Sequence, residues 1–530
     1  MSERVLIRKT MDVICSEDTL RALHGDFLNC TSQYNVLDYL SCDTEVLTRR
    51  SRIFGDTVKI RGMLGLVEHL AGQLDYVSKM VKMSGSLNET DRGLFSVKQL
   101  EIYFDIIESA AKFYAENKKL FTSDDYIGFF STLSDIYESD EYRKIRQNTD
   151  RLIEQIYNIK SVTVGFNLNA ALEPYEAGFL AINEDYVKSG RLIDHILRMD
   201  LPSDGGLYSI APIVPSAKQC KKDEYESLCL SLYNSLQKIF KKQVRQWEPE
   251  INRYIEDKLG FLLDFAPDLH FILQISKIQK KLTDIGIPMC VPEYFPKSEK
   301  RYDACHMYDP NLAINAYEKN ETVNVVTNDI TFNERGQIYL QTGPNSGGKS
   351  VFMRTVGIIQ IMAQIGMLVP ARKLGISPAS AILVELSYQS GSRNDGGRFE
   401  VECRMFREIF RQVDEYSLIL IDEAFSSTNP NEAVFLCSEI LKAMQAIRVK
   451  GIMASHFHAL VGAVNELNSG SEHKIDFLAA GVDDDEKRTY VISRRYPDGK
   501  SYANFIARQY GVSFEDLIAQ RGSEVSHRDI

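Results

Sequence analysis

Apolar positions recur at helical spacing through the first 150 residues, which hold few glycines and no proline. The most regular run is Met63, Val67, Leu70, Leu74, Val77 and Val81, whose spacings alternate between four and three. That is a heptad-like seam suited to packing against a second long helix. It fits a lever arm and it fits one buried face of a helical bundle. Around Ser161–Leu168 the period shortens and β-branched residues gather, predicting a short strand or hairpin. Breakers then accumulate at Pro174, Pro202, Gly205, Gly206, Pro212 and Pro215, so 201–217 reads as a linker or inserted loop. Helical spacing resumes with Tyr225, Leu228, Leu232, Leu236 and Ile239 and runs on toward Ile285.

Gly286, Pro288, Pro292 and Pro296 mark a boundary, and beyond Tyr308 strand and helix patterns alternate. That alternation predicts a mostly parallel sheet with helices on both faces. Residues 1–300 therefore read as a mainly α-helical domain, and 301–530 as an α/β domain. Within the second, Gln337 to Gln341 reads as a buried strand, followed by a helix carrying Met353, Val356, Ile359, Ile361 and Ile365 on its apolar side. Two more buried strands are expected, one over Ser417 to Ile421 and one from Gly451 that ends near His456.

Composition changes this picture little. The 530 residues are 44% hydrophobic and 25% charged, ordinary for a soluble globular protein of two to four domains. A net charge of −11 argues against coating nucleic acid by bulk charge, though not against local basic patches. Lys238, Lys241, Lys242 and Arg245 form one such stripe on a helix, fit either for a nucleic-acid backbone or for plain solvation. Nine scattered cysteines without a C-x-x-C pair suggest reduced thiols, hence a cytoplasmic setting, and no structural zinc. The charged first residues do not form a signal peptide, and no apolar run approaches the roughly 18 residues of a membrane span.

Chemistry concentrates after the boundary. Gly343-Pro344-Asn345-Ser346-Gly347-Gly348-Lys349-Ser350 fits G-x-x-x-x-G-K-[ST], between a strand and a helix. Its glycines let backbone N–H groups face a β-phosphate, and the following helix adds its positive N-terminus. Lys349 is placed for the β- and γ-phosphates of ATP, and the Ser350 hydroxyl for Mg²⁺. The strand ending in Asp422-Glu423 delivers two carboxylates beside that loop. Asp422 suits the Mg²⁺ shell, and Glu423 suits orienting the attacking water. His456, at the end of the next strand, reads as a γ-phosphate sensor or as a structural histidine.

These stretches resemble the MutS family of DNA mismatch-repair ATPases. Gly343 to Ser350 is similar to the family's Gly-Pro-Asn-x-Gly-Gly-Lys-Ser loop, Glu415 to Glu423 to its Walker B strand, and Ala454-Ser455-His456-Phe457 to its Ala-Thr-His-Tyr switch. Val326-Thr327-Asn328-Asp329 resembles the segment that contacts the nucleotide base, and Lys500-Ser501-Tyr502-Ala503 with Gly511-Val512 the C-terminal dimerisation helices. The resemblance covers about Tyr308 to Leu517; Cys42 to Glu45 and Gly165 to Leu168 match the family's helical core more loosely. It implies an ABC-type ATPase domain, pairing of two copies through it, and a nucleotide-gated clamp on double-stranded or branched DNA. The catalytic set it implies is Lys349, Glu423 and His456.

Departures are informative. Where the family's signature loop reads Gly-Arg-Ser-Thr-Phe, this chain has Asp395-Gly396-Gly397-Arg398-Phe399; either the Gly397 N–H or Arg398 serves a partner's γ-phosphate, or ATP-driven pairing is weak. After Glu423 the family's Gly-Arg-Gly-Thr is replaced by Phe425-Ser426-Ser427-Thr428. Both Phe-x-Glu matches, at Phe332 and Phe406, fall inside the ATPase half, so mismatch reading through the usual aromatic wedge is not expected. Two functions stay open: a DNA-coupled ATPase, and a nucleotide-dependent switch for protein partners with slow hydrolysis and no DNA.

Overall fold

The computed structural model describes residues 6–7, 9–10, 12–28, 35–84, 89–157, 160–171, 174–187, 260–321, 324–333, 336–344, 347–386, 397–482, 488–497, 512 and 516–518. The 201–217 loop, the Tyr225–Ile239 helix, the Lys238–Arg245 stripe and residues 500–511 lie outside them. Helices are α1 (Glu17–Ala22), α2 (Thr44–Lys59), α3 (Met63–Ser84), α4 (Glu89–Asn117), α5 (Asp124–Glu138), α6 (Asp140–Tyr157), α7 (Gly260–Asp284), α8 (Pro310–Glu318), α9 (Lys349–Ile365), α10 (Arg398–Gln412), α11 (Pro430–Ile447) and α12 (Ala459–Ser469). Strands are β1 (Ser161–Leu168), β2 (Pro174–Asn183), β3 (Glu293–Tyr294), β4 (Tyr302–Met307), β5 (Asn328–Phe332), β6 (Ile338–Thr342), β7 (Lys373–Ile376), β8 (Ile382–Leu386), β9 (Leu418–Asp422), β10 (Lys450–Ala454), β11 (Ile475–Val482) and β12 (Arg488–Arg494). No described helix is long and apolar enough to cross a membrane.

The chain forms two compact units, and they do not divide at residue 300. One comprises Met1–Glu68, Leu120–Tyr126 and Pro267–Ile530; the other His69–Lys119 and Ile127–Ala266. Among the described residues the second unit is helical apart from one hairpin. In it Phe104 of α4 meets Tyr142 of α6 edge-on with ring centroids 5.4 Å apart, and His69 and Gln73 of α3 both bond Asp105 of α4. The expected strand at Ser161–Leu168 is there, paired antiparallel with β2. Along the α3 seam Met63, Val67, Leu70, Leu74 and Val77 are buried while Val81 is exposed, so most of the seam is core.

The larger unit carries the chemistry. Its main sheet has the order β12-β11-β6-β10-β9-β8, parallel from β11 to β8 with β12 antiparallel at the edge. Every residue of β6, β9 and β10 is buried, as continuous apolar runs in a parallel sheet require. A second sheet, β3-β7-β4-β5, is largely antiparallel and has no counterpart in the sequence-based expectation.

Helix α9 is buried nearly all round because it has neighbours on both sides. A methyl group added at Gly357 would stand 2.6 Å from Leu23 Cδ2 and 2.9 Å from Leu420 Cδ1, so Leu23 of the N-terminal segment and Leu420 of β9 both close on the helix at this point. Gln364 fixes the arrangement: its Nε2 donates to Ser41 O at 3.0 Å and to Ala379 O at 2.9 Å. Those bonds explain why the first 68 residues group with the P-loop rather than with the helical unit. Each fully buried Leu or Ile here contributes about 1.5–3 kcal/mol.

Candidate active site

The loop between β6 and α9 is shaped by its glycines. Gly343 has φ 135°, and a Cβ there would fall 2.7 Å from Ala480 Cβ. Gly348 has φ 91° and caps α9, a backbone that L side chains rarely adopt. The Pro344 carbonyl accepts from Gly347 N at 3.1 Å and closes the turn. Lys349 bends back over the loop, donating from Nζ to Gly343 O at 2.9 Å and Pro344 O at 3.1 Å. Burial pulls the Lys349 amine below its ordinary pKa, while Glu423 and Asp422 act to raise it. Asn345 and Ser346 lie outside the described residues.

Strand β9 brings its two carboxylates to this loop because it runs parallel to β10, which in turn pairs with β6. Asp422 is buried, and desolvation raises its pKa, with Glu423 adding to the shift. The Ser350 hydroxyl, Lys349 and Arg354 act in the opposite direction. Among the described residues Asp422 Oδ1 has no hydrogen-bond partner. Glu423 turns the chain out of the strand with a left-handed φ of 54°, its N–H bonded to Ala454 O at 3.0 Å. Phe425 is left-handed too, φ 56°, and its N–H donates to Glu402 Oε2 at 2.8 Å. Two strained residues in three mark a turn that the surroundings over-determine.

Gly348, Lys349, Ser350, Asp422 and Glu423 line one cleft of about 850 Å³. Asn328 lines it as well, but its amide is engaged: Nδ2 donates to Tyr490 O at 3.2 Å, and Oδ1 accepts from Ile492 N at 2.6 Å. Asn328 thus fastens β5 to β12. Tyr490, which no sequence signal marks, borders the cleft with a φ of 58°.

The remaining predicted residues stand apart. Among the described residues His456 is not part of the cleft wall; it is exposed, its ring 4.1 Å from that of Phe457. The strand ends at Ala454, where Ser455 N bonds Gln341 O, and His456 comes after this last tie to β6. Gly397 caps α10 with φ −68°, and a methyl group there would meet nothing among the described residues; Arg398 begins that helix. Gly397 does not border the cleft.

The donor set fits a divalent cation. A buried carboxylate oxygen without a partner costs about 1–3 kcal/mol, and a cation would satisfy it. Ser350 and Asp422 are the residues that would hold Mg²⁺, whose chemistry there is neutralisation of phosphate charge.

Comparison with known proteins agrees with this geometry. The MutS domain V family matches residues 339–519. Over 193 residues the chain is 31% identical to "Endonuclease MutS2" of Thermomicrobium roseum, covering 36% of this chain and 24% of that protein. Over 294 residues it is 29% identical to "Endonuclease MutS2" of Thermus thermophilus, covering 54% and 36%. The "DNA mismatch repair protein MutS" of Prochlorococcus marinus is 30% identical over 194 residues, 36% of this chain and 21% of that one. In each case the match spans well under half of the relative's own length. Through residues 339–519, which match MutS domain V, the chain is similar to proteins of the MutS family.

Proposed function

We propose that this protein is a Mg²⁺-dependent ATPase, two copies of which pair through their ATPase domains as a nucleotide-gated clamp on double-stranded or branched DNA. The observation that carries the reading is the convergence of Lys349, Ser350, Asp422 and Glu423 on one cleft beneath a glycine-shaped loop. Lys349 exchanges the Gly343 and Pro344 carbonyls for phosphate oxygens and stabilises charge on the transferring group. Glu423 accepts a proton from, or orients, the water that attacks the γ-phosphate. Asp422 and Ser350 hold the cation. His456 reaches a γ-phosphate only when the segment after β10 moves or a second copy approaches. Gly397 and Arg398, at the start of α10, would supply the contact across the pair. The C-terminal segment from about residue 500 would hold the copies together.

A second reading, a nucleotide-dependent switch for protein partners with slow hydrolysis and no DNA, draws on one observation. His456 and Gly397 both stand clear of the cleft, so a lone copy has no γ-phosphate sensor in place. Steady-state hydrolysis separates the two, measured without DNA, with linear duplex and with a four-way junction at low and moderate salt. Lys349→Ala is the blank. Stimulation that fades with salt supports the clamp, because phosphate contacts are salt-sensitive. A rate indifferent to every DNA but abolished in the blank supports the switch.

A further inference from the structure

Neighbouring side chains on a regular β-strand point to opposite faces, which would put the strand itself between Cys305 and His306. In β4 they meet instead. The pairing of β4 with β5 slips between Ala304 and Met307, and His306 adopts a left-handed φ of 52°. This irregularity brings Cys305 Sγ to 3.2 Å from His306 Nδ1. Asp329 on β5 joins them: its Oδ1 lies 3.7 Å from His306 Nδ1 and accepts the His306 backbone N–H at 2.6 Å. The three donor atoms all lie within 4.8 Å of one another.

These separations suit a tetrahedral ion. Zn–S of about 2.3 Å with Zn–N and Zn–O of about 2.0–2.2 Å sets donor-to-donor distances at roughly 3.3–3.6 Å. Two of the three pairs, at 3.2 and 3.7 Å, lie close to that range, and the third is within 4.8 Å. A thiol, an imidazole and a carboxylate together select a borderline-soft cation over Mg²⁺ or Ca²⁺, which prefer all-oxygen shells. The bond from His306 N–H orients the carboxylate, as an outer shell does around ligands of this kind. Asp329 and His306 are exposed, so the fourth position faces water.

We propose that Cys305, His306 and Asp329 form a three-ligand site for Zn²⁺ or a similar divalent transition metal, with water as the fourth ligand. The site is separate from the one that Ser350 and Asp422 offer to Mg²⁺. Its position gives it a consequence. Met307 pairs with Asn328 in the β4–β5 register, and both residues border the cleft beside the P-loop. A metal that ties β4 to β5 one residue away on each strand fixes that rim.

The test is a Co²⁺ titration of metal-stripped, full-length protein, followed by absorbance. One saturating equivalent is expected, with near-ultraviolet thiolate-to-cobalt absorption and visible bands of tetrahedral intensity, both displaced by Zn²⁺. Cys305→Ser removes the near-ultraviolet band, and Asp329→Asn weakens Co²⁺ binding about tenfold or more. Zn²⁺ raises the melting temperature of the wild type and leaves that of Cys305→Ser unchanged. Circular dichroism of each variant checks folding, and Asp329→Asn, an exposed change, guards against a Cys305→Ser chain that does not fold. The proposal is overturned if Cys305→Ser gives the wild-type spectrum, if Asp329→Asn binds Co²⁺ as tightly as wild type, or if no saturable equivalent is seen.

Discussion

Lys349 donates from Nζ to the carbonyl of Gly343 at 2.9 Å, so the cation of the P-loop is held by the loop it serves. Pro344 O takes a second bond from the same amine at 3.1 Å. ATP binding exchanges these neutral acceptors for charged phosphate oxygens, and hydrogen bonds to charged groups contribute about 1.5–3 kcal/mol each. Lys349→Ala should therefore raise the Kd for ATP about 100-fold, measured by equilibrium dialysis, with hydrolysis at background. Wild-type affinity in this variant would remove Lys349 from the site.

The same lysine predicts a pH effect. Burial lowers its pKa, so the nucleotide-free protein loses this proton at a lower pH than a free lysine does. Phosphate charge favours the protonated amine and draws the proton back. Binding should take up protons in alkaline buffer, and ATP affinity should fall as pH rises through the lowered pKa. Calorimetry at one alkaline pH, in two buffers of different ionisation heat, reads the uptake directly. Identical apparent enthalpies in both buffers would contradict it.

Glu423 owes its place to a left-handed φ of 54° and to the bond from its N–H to Ala454 O. Glu423→Gln keeps the shape and removes the base. Hydrolysis should fall about 10²- to 10⁴-fold while ATP affinity stays close to wild type. A Glu423→Gln protein that turns over at the wild-type rate would exclude Glu423 from the chemistry.

Gly343→Ala places a methyl group 2.7 Å from Ala480 Cβ at a φ of 135°. Strain of this kind costs about 1–3 kcal/mol and displaces the loop. Gly397→Ala is the matched control, because that position has a φ of −68° and no described residue within 4 Å of an added methyl group. Thermal melts should show a loss of several degrees for the first and almost none for the second. Equal losses would mean that the loop glycines are replaceable.

How much of this was legible beforehand follows from what each feature depends on. Strands β6, β9 and β10 and helix α9 were readable because their apolar runs and the loop motif are local in sequence. The four-stranded second sheet was not, since it joins segments as distant as β3 and β7 through backbone bonds that leave no period. The placement of the N-terminal segment was equally hidden. It depends on Gln364 reaching Ser41 across 323 positions, and a glutamine in a helix announces no partner. Asn328 lines the cleft, yet its amide is committed to β12, a pairing that only the folded chain creates. The left-handed turns at Glu423 and Phe425 are invisible for a further reason: neither residue type favours that conformation, and it is held by the bonds their N–H groups donate to Ala454 O and Glu402 Oε2.

Lys450 provides a test of stability independent of nucleotide. It opens β10 with 1% of its surface exposed, and among the described residues its Nζ has no hydrogen-bond partner. Burial lowers its pKa to about 7, and the charge of Lys300 acts in the same direction. An unfolded lysine titrates near 10.4. Between pH of about 7 and about 10.4 the unfolded chain therefore carries a proton that the folded chain has released. Stability from this residue rises with pH across that window and is lowest below it, where the buried amine must be charged. Lys450→Met keeps the length of the side chain and removes the charge. The variant should be more stable by about 1–4 kcal/mol at pH 6.5, the range seen when buried ionic groups give way to apolar ones. That advantage should shrink toward pH 10 as the wild-type amine becomes neutral in both states. Urea unfolding of both proteins at pH 6.5 and 9.5 measures the gap. A gap independent of pH, or a variant less stable than wild type at pH 6.5, would show that Lys450 is not a buried amine of depressed pKa.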